Sequence, residues 1–98
     1  MLELKLRPSA HRDLDGIWEY TRERWSEAQA ERYFVQIRAA IERLRSSPRL
    51  GKAAHNTSFL KWPSGSHFIF YRADETTLDI VRILHQSMDF SAHLPDEA

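Results

Sequence analysis

Five histidines, His11, His55, His67, His85 and His93, are the side chains of this 98-residue chain that titrate nearest neutral pH. None of them stands at the i, i+4 or two-residue interval of a metal-binding pair, so no metal site is read from them. The chain has no cysteine, which removes disulfides and thiolate ligands. No Ser-His-Asp or Cys-His arrangement, Gly-rich phosphate loop or pair of carboxylates is legible, and no cofactor is implied. What remains is a scattered set, Lys61, His67, Arg72, His85 and His93. Brought together, these cations and acid/base groups would suit cleavage of an RNA phosphodiester. Nothing in the sequence alone brings them together, so the reading assigns no catalytic residue. His85 stands where an apolar run gives way to polar residues. It reads first as a strand-terminal residue bonded to nearby backbone, and only second as a catalytic group.

Three short strands must carry most of these groups. Residues 59–72 and 77–85 alternate runs of Phe, Ile, Tyr and Val with a Pro63-Ser64-Gly65-Ser66 break and an Asp74-Glu75-Thr76 break. Neither break is long enough for a crossover, so the strands are expected as antiparallel neighbours. Upstream, Leu2-Glu3-Leu4-Lys5-Leu6-Arg7 alternates apolar and charged residues, the pattern of a strand with one buried face. The outward Glu3, Lys5 and Arg7 suit an edge strand and offer a docking surface for a partner strand.

From Ser9 the period becomes helical, with Ala10, Leu14, Ile17, Trp18, Thr21 and Trp25 on one stripe. Ser26-Glu27-Ala28-Gln29 reads as a capping box that opens a second helix, whose apolar face is Ala30, Tyr33, Phe34, Ile37, Ala40, Ile41 and Leu44. Trp18, Trp25, Tyr33 and Phe34 are expected in the core. Two helices with almost no loop between them pack as an antiparallel hairpin. A polar loop over residues 46–57 leads to the strands. The predicted fold is α+β, in the order β-α-α-β-β-β. It is a two-layer sandwich of a helix hairpin on a small, mostly antiparallel sheet. The whole chain, 1–98, is expected to form one domain, loosely ordered from about residue 90.

Period two places Phe68, Phe70 and Arg72 on one face and Ile69 and Tyr71 on the other. With Ile69 and Tyr71 under the helices, an open face of Phe68, Phe70, Leu78 and Ile80 rimmed by Arg72 and Arg82 is expected. Such an apolar patch marks a partner surface unless a chain end or second subunit covers it. Fourteen basic residues balance fourteen acidic ones, so no global field attracts nucleic acid and no sequence-specific binding to it is expected. No run approaches a membrane span and no signal peptide is recognisable, so the chain is read as soluble and cytoplasmic.

The Pro63-Ser64-Gly65-Ser66 turn, the Phe68-Ile69-Phe70-Tyr71-Arg72 strand and the segment Val81-Arg82-Ile83-Leu84-His85-Gln86-Ser87-Met88-Asp89 together resemble the C-terminal half of ParE-type toxins. The element order extends that resemblance to roughly residues 2–94 and to the wider ParE/RelE superfamily. The resemblance implies the toxin of a type II toxin–antitoxin system, inhibiting DNA gyrase by binding and neutralised by a ParD-like antitoxin in a hetero-oligomer. Phe68, Phe70, Arg72, Arg82, His85 and Met88 are its candidate partner-binding residues, with Glu3, Lys5 and Arg7 for antitoxin docking. The superfamily's other branch, RelE-like, cleaves messenger RNA on the ribosome. Where that branch has arginines this chain has His67 and, near the end of the last strand, Ser87. His93 falls near its C-terminal acid/base position, and many ParE members carry two arginines where Ser87 and Met88 stand. The alternatives are therefore a RelE-like nuclease and a non-toxic interaction module of the same fold.

Overall fold

The computed structural model describes residues 1–93. Strand β1 (Glu3–Leu6) leads into helices α1 (Pro8–Arg24) and α2 (Glu27–Ser46), followed by strands β2 (Lys52–Ala53), β3 (Leu60–Ser64), β4 (His67–Ala73) and β5 (Thr77–His85). The sheet order is β1-β5-β4-β3-β2. β1 lies parallel to β5, and the other three pairs are antiparallel. The two helices cover one face. The class is therefore the expected two-layer α+β sandwich, with one more strand than the expected order. Residues read as loop contribute β2, which pairs with Leu60 and Lys61.

Local chemistry accounts for the boundaries. Pro8 occupies the first turn of α1, where its missing N–H costs nothing. Ser26 caps α2 by accepting the Gln29 N–H at 3.0 Å. The reciprocal half of the capping box is absent, because the Gln29 amide oxygen accepts from Arg32 instead. Gly65 turns β3 into β4 with φ of +58°, and a Cβ there would overlap the Tyr33 ring pressed on the turn. On the opposite side, Tyr71 Oη donates to the Pro48 carbonyl at 2.7 Å and accepts from Gly51 N–H at 2.9 Å. That pair of bonds pins the 48–51 segment to the sheet.

β1 pairs only with residues 77–80 of β5. The remaining edge of β5 is satisfied by α1. Ser9 Oγ donates to the Val81 carbonyl at 3.0 Å, and the Asp13 carboxylate accepts the Ile83 N–H at 2.9 Å. No buried side-chain polar atom among the described residues lacks a partner, so the helix face closes without an unsatisfied group.

The core has two parts, one on each face of the sheet. Beneath the helices, Ile17, Ile37, Ile41 and Leu44 pack on Ile69, Tyr71, Leu78, Ile80 and Ile83. On the other face, Phe70, Val81 and Leu84 are covered by Ala54, Phe59 and Phe90. This corrects the expected open face. Ile69 and Tyr71 do face the helices, but so do Leu78 and Ile80. The cause is a bulge: Phe70 pairs with Arg82 while Tyr71 pairs with Ile80, leaving Val81 as an extra residue in β5. One inserted residue reverses the alternation of everything beyond it.

The rest of the expected patch is not open either. Phe90 stacks on Phe70 at 3.9 Å between centroids and 11° between planes, and meets Phe59 edge-on. Phe90 is buried at the start of a 3-10 turn, Phe90–His93, whose Ser91 and Ala92 are exposed. The expected fraying beyond it falls outside the described residues. The alternative reading, that a chain end covers this face, is the one the structure has.

Candidate functional site

A cleft of about 850 Å³ opens between α1, the tip of the helix hairpin, the β3–β4 turn and the end of β5. Its rim is unusually apolar for a surface. Trp25 is 72% exposed, Tyr20 60% and Met88 41%. Trp25 was expected in the core because it continues the α1 stripe. It caps the C-terminus of α1 at the hairpin tip, one residue beyond the helix. Trp18, also expected in the core, is half-buried outside it and packs edge-on against Phe34 at 5.2 Å.

The polar groups of the cleft centre on two histidines. His67 opens β4 and His85 closes β5, and the register places them opposite each other. Gln86 N–H donates to the Ser66 carbonyl at 2.9 Å. That makes 66/86 a hydrogen-bonded pair and 67/85 the neighbouring open pair, in which side chains approach more closely. The rings stand 5.4 Å apart at 81°.

Hydrogen bonds hold both rings. Tyr33 Oη accepts from Ser66 N–H at 2.9 Å and lies 3.2 Å from the Ser64 carbonyl and 2.6 Å from His67 Nδ1. His85 is held from the segment beyond β5. Its Nδ1 accepts from Ser87 N–H at 3.1 Å, so in the neutral ring the proton sits on Nε2. Burial lowers the pKa of His67, the neighbouring His85 lowers it further, and Asp13 opposes both.

The remaining expected site residues are dispersed. Arg82 is not a rim cation of an open face. Its guanidinium forks onto Asp13, with 2.8 Å to each carboxylate oxygen, and donates to the His93 carbonyl at 3.0 Å. The Asp13 hydrogen bond raises its pKa, burial opposes this, and the Asp13 charge adds to the rise. Arg72 lies 5.2 Å over the Phe59 ring and 3.7 Å from Asp79. Arg7, expected to point outward beside Glu3 and Lys5, forks onto Asp79 at 3.1 and 2.8 Å, whereas Glu3 and Lys5 are exposed on the edge strand.

Of the scattered RNA-cleaving set, the fold unites only His67 and His85. Arg72 sits five residues along β4 from His67, a span of about 17 Å. Lys61 lies 4.7 Å from the Phe68 ring on the opposite face, and His93 does not line the cleft. Among the described residues no group of three or more His, Asp or Glu is placed to hold a metal ion. Sequence reasoning missed Tyr33, Asp13, Tyr20 and Trp25 as cleft residues. The available signal was the Gly65 turn, whose tightness requires a partner such as Tyr33 close above it.

The fold and cleft define a small two-layer α+β domain, and comparison with known proteins gives it a family. The family model for the ParE toxin of the type II toxin-antitoxin system parDE matches residues 4–90. Toxin ParE1 of Mycobacterium tuberculosis (strain H37Rv) is 41% identical over 92 residues, covering 91% of this chain and 94% of its own. Toxin ParE1 of Caulobacter vibrioides is 38% identical, covering 96% and 99%. This chain belongs to the ParE toxin family. Among solved structures, a chain of the chromosomal ParDE toxin–antitoxin system of P. aeruginosa superposes with a TM-score of 0.77 at 18% identity, covering 87% of this chain and 96% of that one. A chain of the M. tuberculosis RelBE2 toxin–antitoxin complex gives 0.58 at 21% identity, covering 86% and 96%. These two show the fold.

Proposed function

We infer that this chain is a toxin that acts by docking on DNA gyrase, performs no chemistry of its own, and is neutralised by a ParD-like antitoxin. The observation that carries the binding reading is the apolar-rimmed cleft: Trp25, Tyr20 and Met88 stay exposed around a polar floor. Exposed aromatic and methionine side chains clustered at a concavity are what protein docking uses. The dispersal of Lys61, Arg72 and His93 away from His67 and His85 argues against a nuclease. Stabilising a pentacoordinate phosphate takes several converging cations, each worth about 10² to 10³ in rate. A gyrase poison needs none of them, because gyrase makes the strand break itself. The solved neighbours come from a ParDE system and a RelBE2 complex, which supports an antitoxin partner here as well.

Inducing the chain should raise DNA-damage signalling and filamentation while protein synthesis continues, and purified toxin should trap gyrase-cleaved DNA. One observation favours a second reading. His67 and His85, with rings 5.4 Å apart, would serve as base and acid on an RNA backbone. Immediate arrest of translation, with cut messengers and intact DNA, would establish that reading and make these two histidines the catalytic candidates.

A further inference from the structure

The chain is neutral overall, but its charges are unevenly spread. Residues 43–73 hold six of the fourteen Lys and Arg and none of the fourteen Asp and Glu. That stretch runs from the end of α2 through the Pro48–Leu50 turn and β2 into β3 and β4. β2 is one edge of the sheet and β3 its neighbour, so the excess charge is carried to one side of the molecule. Two of the six cations have carboxylate partners, Arg45 with Glu42 at 3.0 Å and Arg72 with Asp79 at 3.7 Å. Arg43, Arg49, Lys52 and Lys61 remain, and among the described residues none of these four forms an ion pair.

Lys52 and Lys61 are direct cross-strand partners, which sets their Cβ atoms about 5 Å apart, where like charges repel. Asp89 lines the same shallow groove as Lys61, but its Oδ1 accepts from Ser91 N–H and Oγ at 3.0 and 2.8 Å. Arg43 joins from the helix side, 6.0 Å over the Trp62 ring, and Arg49 from the turn that leads into β2.

We propose that this β2–β3 edge, through Arg43, Arg49, Lys52 and Lys61, is a sequence-independent contact for the phosphate backbone of duplex DNA. Clustered, unpaired cations fit a polyanion. Protein interfaces are built around apolar anchors, and none of the exposed large apolar side chains comes from residues 43–73. Single strands are held on open aromatic platforms. Here Lys61 lies 4.7 Å over the Phe68 ring, and Arg43 lies over Trp62. What the edge offers is charge without a stacking surface, which suits the phosphate rows of a duplex. The cleft that carries the docking reading is lined by none of the four cations. The DNA contact therefore stands or falls separately from that reading.

The test is fluorescence anisotropy of a labelled, mixed-sequence duplex of about 20 base pairs, titrated with the full chain at salt from about 50 to about 200 mM. Four contacts predict a slope of log K on log[salt] of about −3.6, a loss on the order of a hundredfold over that range. K52E places a carboxylate opposite Lys61, a favourable cross-strand pair, so it keeps the fold, and circular dichroism checks each variant. Affinity should fall about tenfold or more in K52E and further in R49E/K52E, whose slope should be shallower by about 2. R22E/R32E makes the same charge change at exposed positions of α1 and α2 and should stay within about threefold of wild type. Absence of duplex binding by the wild type at the lowest salt overturns the proposal. So does an R22E/R32E loss equal to that of R49E/K52E, which would reduce the effect to bulk charge. A single strand of equal length, or a polyglutamate peptide, bound more tightly than the duplex also overturns it, and gives the edge to RNA or to an acidic protein.

Discussion

Asp13 and Arg82, 69 positions apart, form a forked and largely enclosed ion pair, as Arg7 and Asp79 do. Both side chains are largely enclosed, at 12% and 19% exposure, and Asp13 also satisfies the Ile83 N–H at the sheet edge. Breaking such a pair leaves a charge without its partner and costs about 3 kcal/mol, against less than about 1 for an exposed pair. Arg82→Ala should therefore lower stability by about 3 kcal/mol in urea unfolding. Arg82→Lys should recover little of it, because an ammonium cannot fork onto both carboxylate oxygens. A midpoint equal to wild type in Arg82→Ala would return Arg82 to the role of a surface cation. His67 gives a second prediction. Its folded pKa lies below the ordinary value of about 6.5, so the unfolded chain binds protons first. Its stabilising share is present above about pH 6.5 and is lost as pH falls through the depressed folded value. Unfolding free energy should decline over that window in the wild type and much less in His67→Gln. Two curves of equal slope there would refute the assignment.

At the scale of elements, the C-terminal turn is the lid of the second core. Phe90, 8% exposed, stacks on Phe70 and closes against Phe59. Replacing it by Ala removes the ring and uncovers Phe70, which should cost about 3 kcal/mol. The denaturation midpoint should drop while the denaturant slope stays constant, as expected if the same two-state unit unfolds. An unchanged midpoint would mean that this face is stable without its lid. The β5 bulge acts at the same scale. It turns Leu78 and Ile80 toward the helices and Val81 toward Phe90, so each face of the sheet has its own apolar set.

For the molecule as a whole, the two small cores sit on either side of a single sheet, and of the exposed large apolar side chains Tyr20, Trp25 and Met88 line one cleft. A partner that binds only the folded state stabilises it by RT ln(1 + [L]/Kd), about 4 kcal/mol at a thousandfold excess over Kd. For a domain of this size that should raise the thermal midpoint by roughly 15 °C or more. Melts of the toxin with and without saturating antitoxin measure it. A midpoint that does not move would show that the antitoxin does not bind the folded toxin.

Periodicity determined the elements of this protein. Period two in residues 2–7 and 67–73 and period 3.6 in residues 10–44 announce a strand, a hairpin and a sheet, because each is a local repeat written in neighbouring residues. The Gly65 turn and the Ser26 cap are legible for the same reason. The faces and the site were decided by tertiary structure. One extra residue at Val81 shifts the register, and no local pattern records it, so the expected patch of Phe68, Phe70, Leu78 and Ile80 dissolved. Trp25 continues the helical stripe but lies past the end of α1, at the hairpin tip, which spacing does not show. Arg82 looks like a surface arginine until Asp13 is brought beside it. His67 and His85, 18 positions apart, become a pair only when β4 and β5 align, and the groups that hold them, Tyr33 from α2 and Ser87 from beyond β5, reach them only in the folded chain.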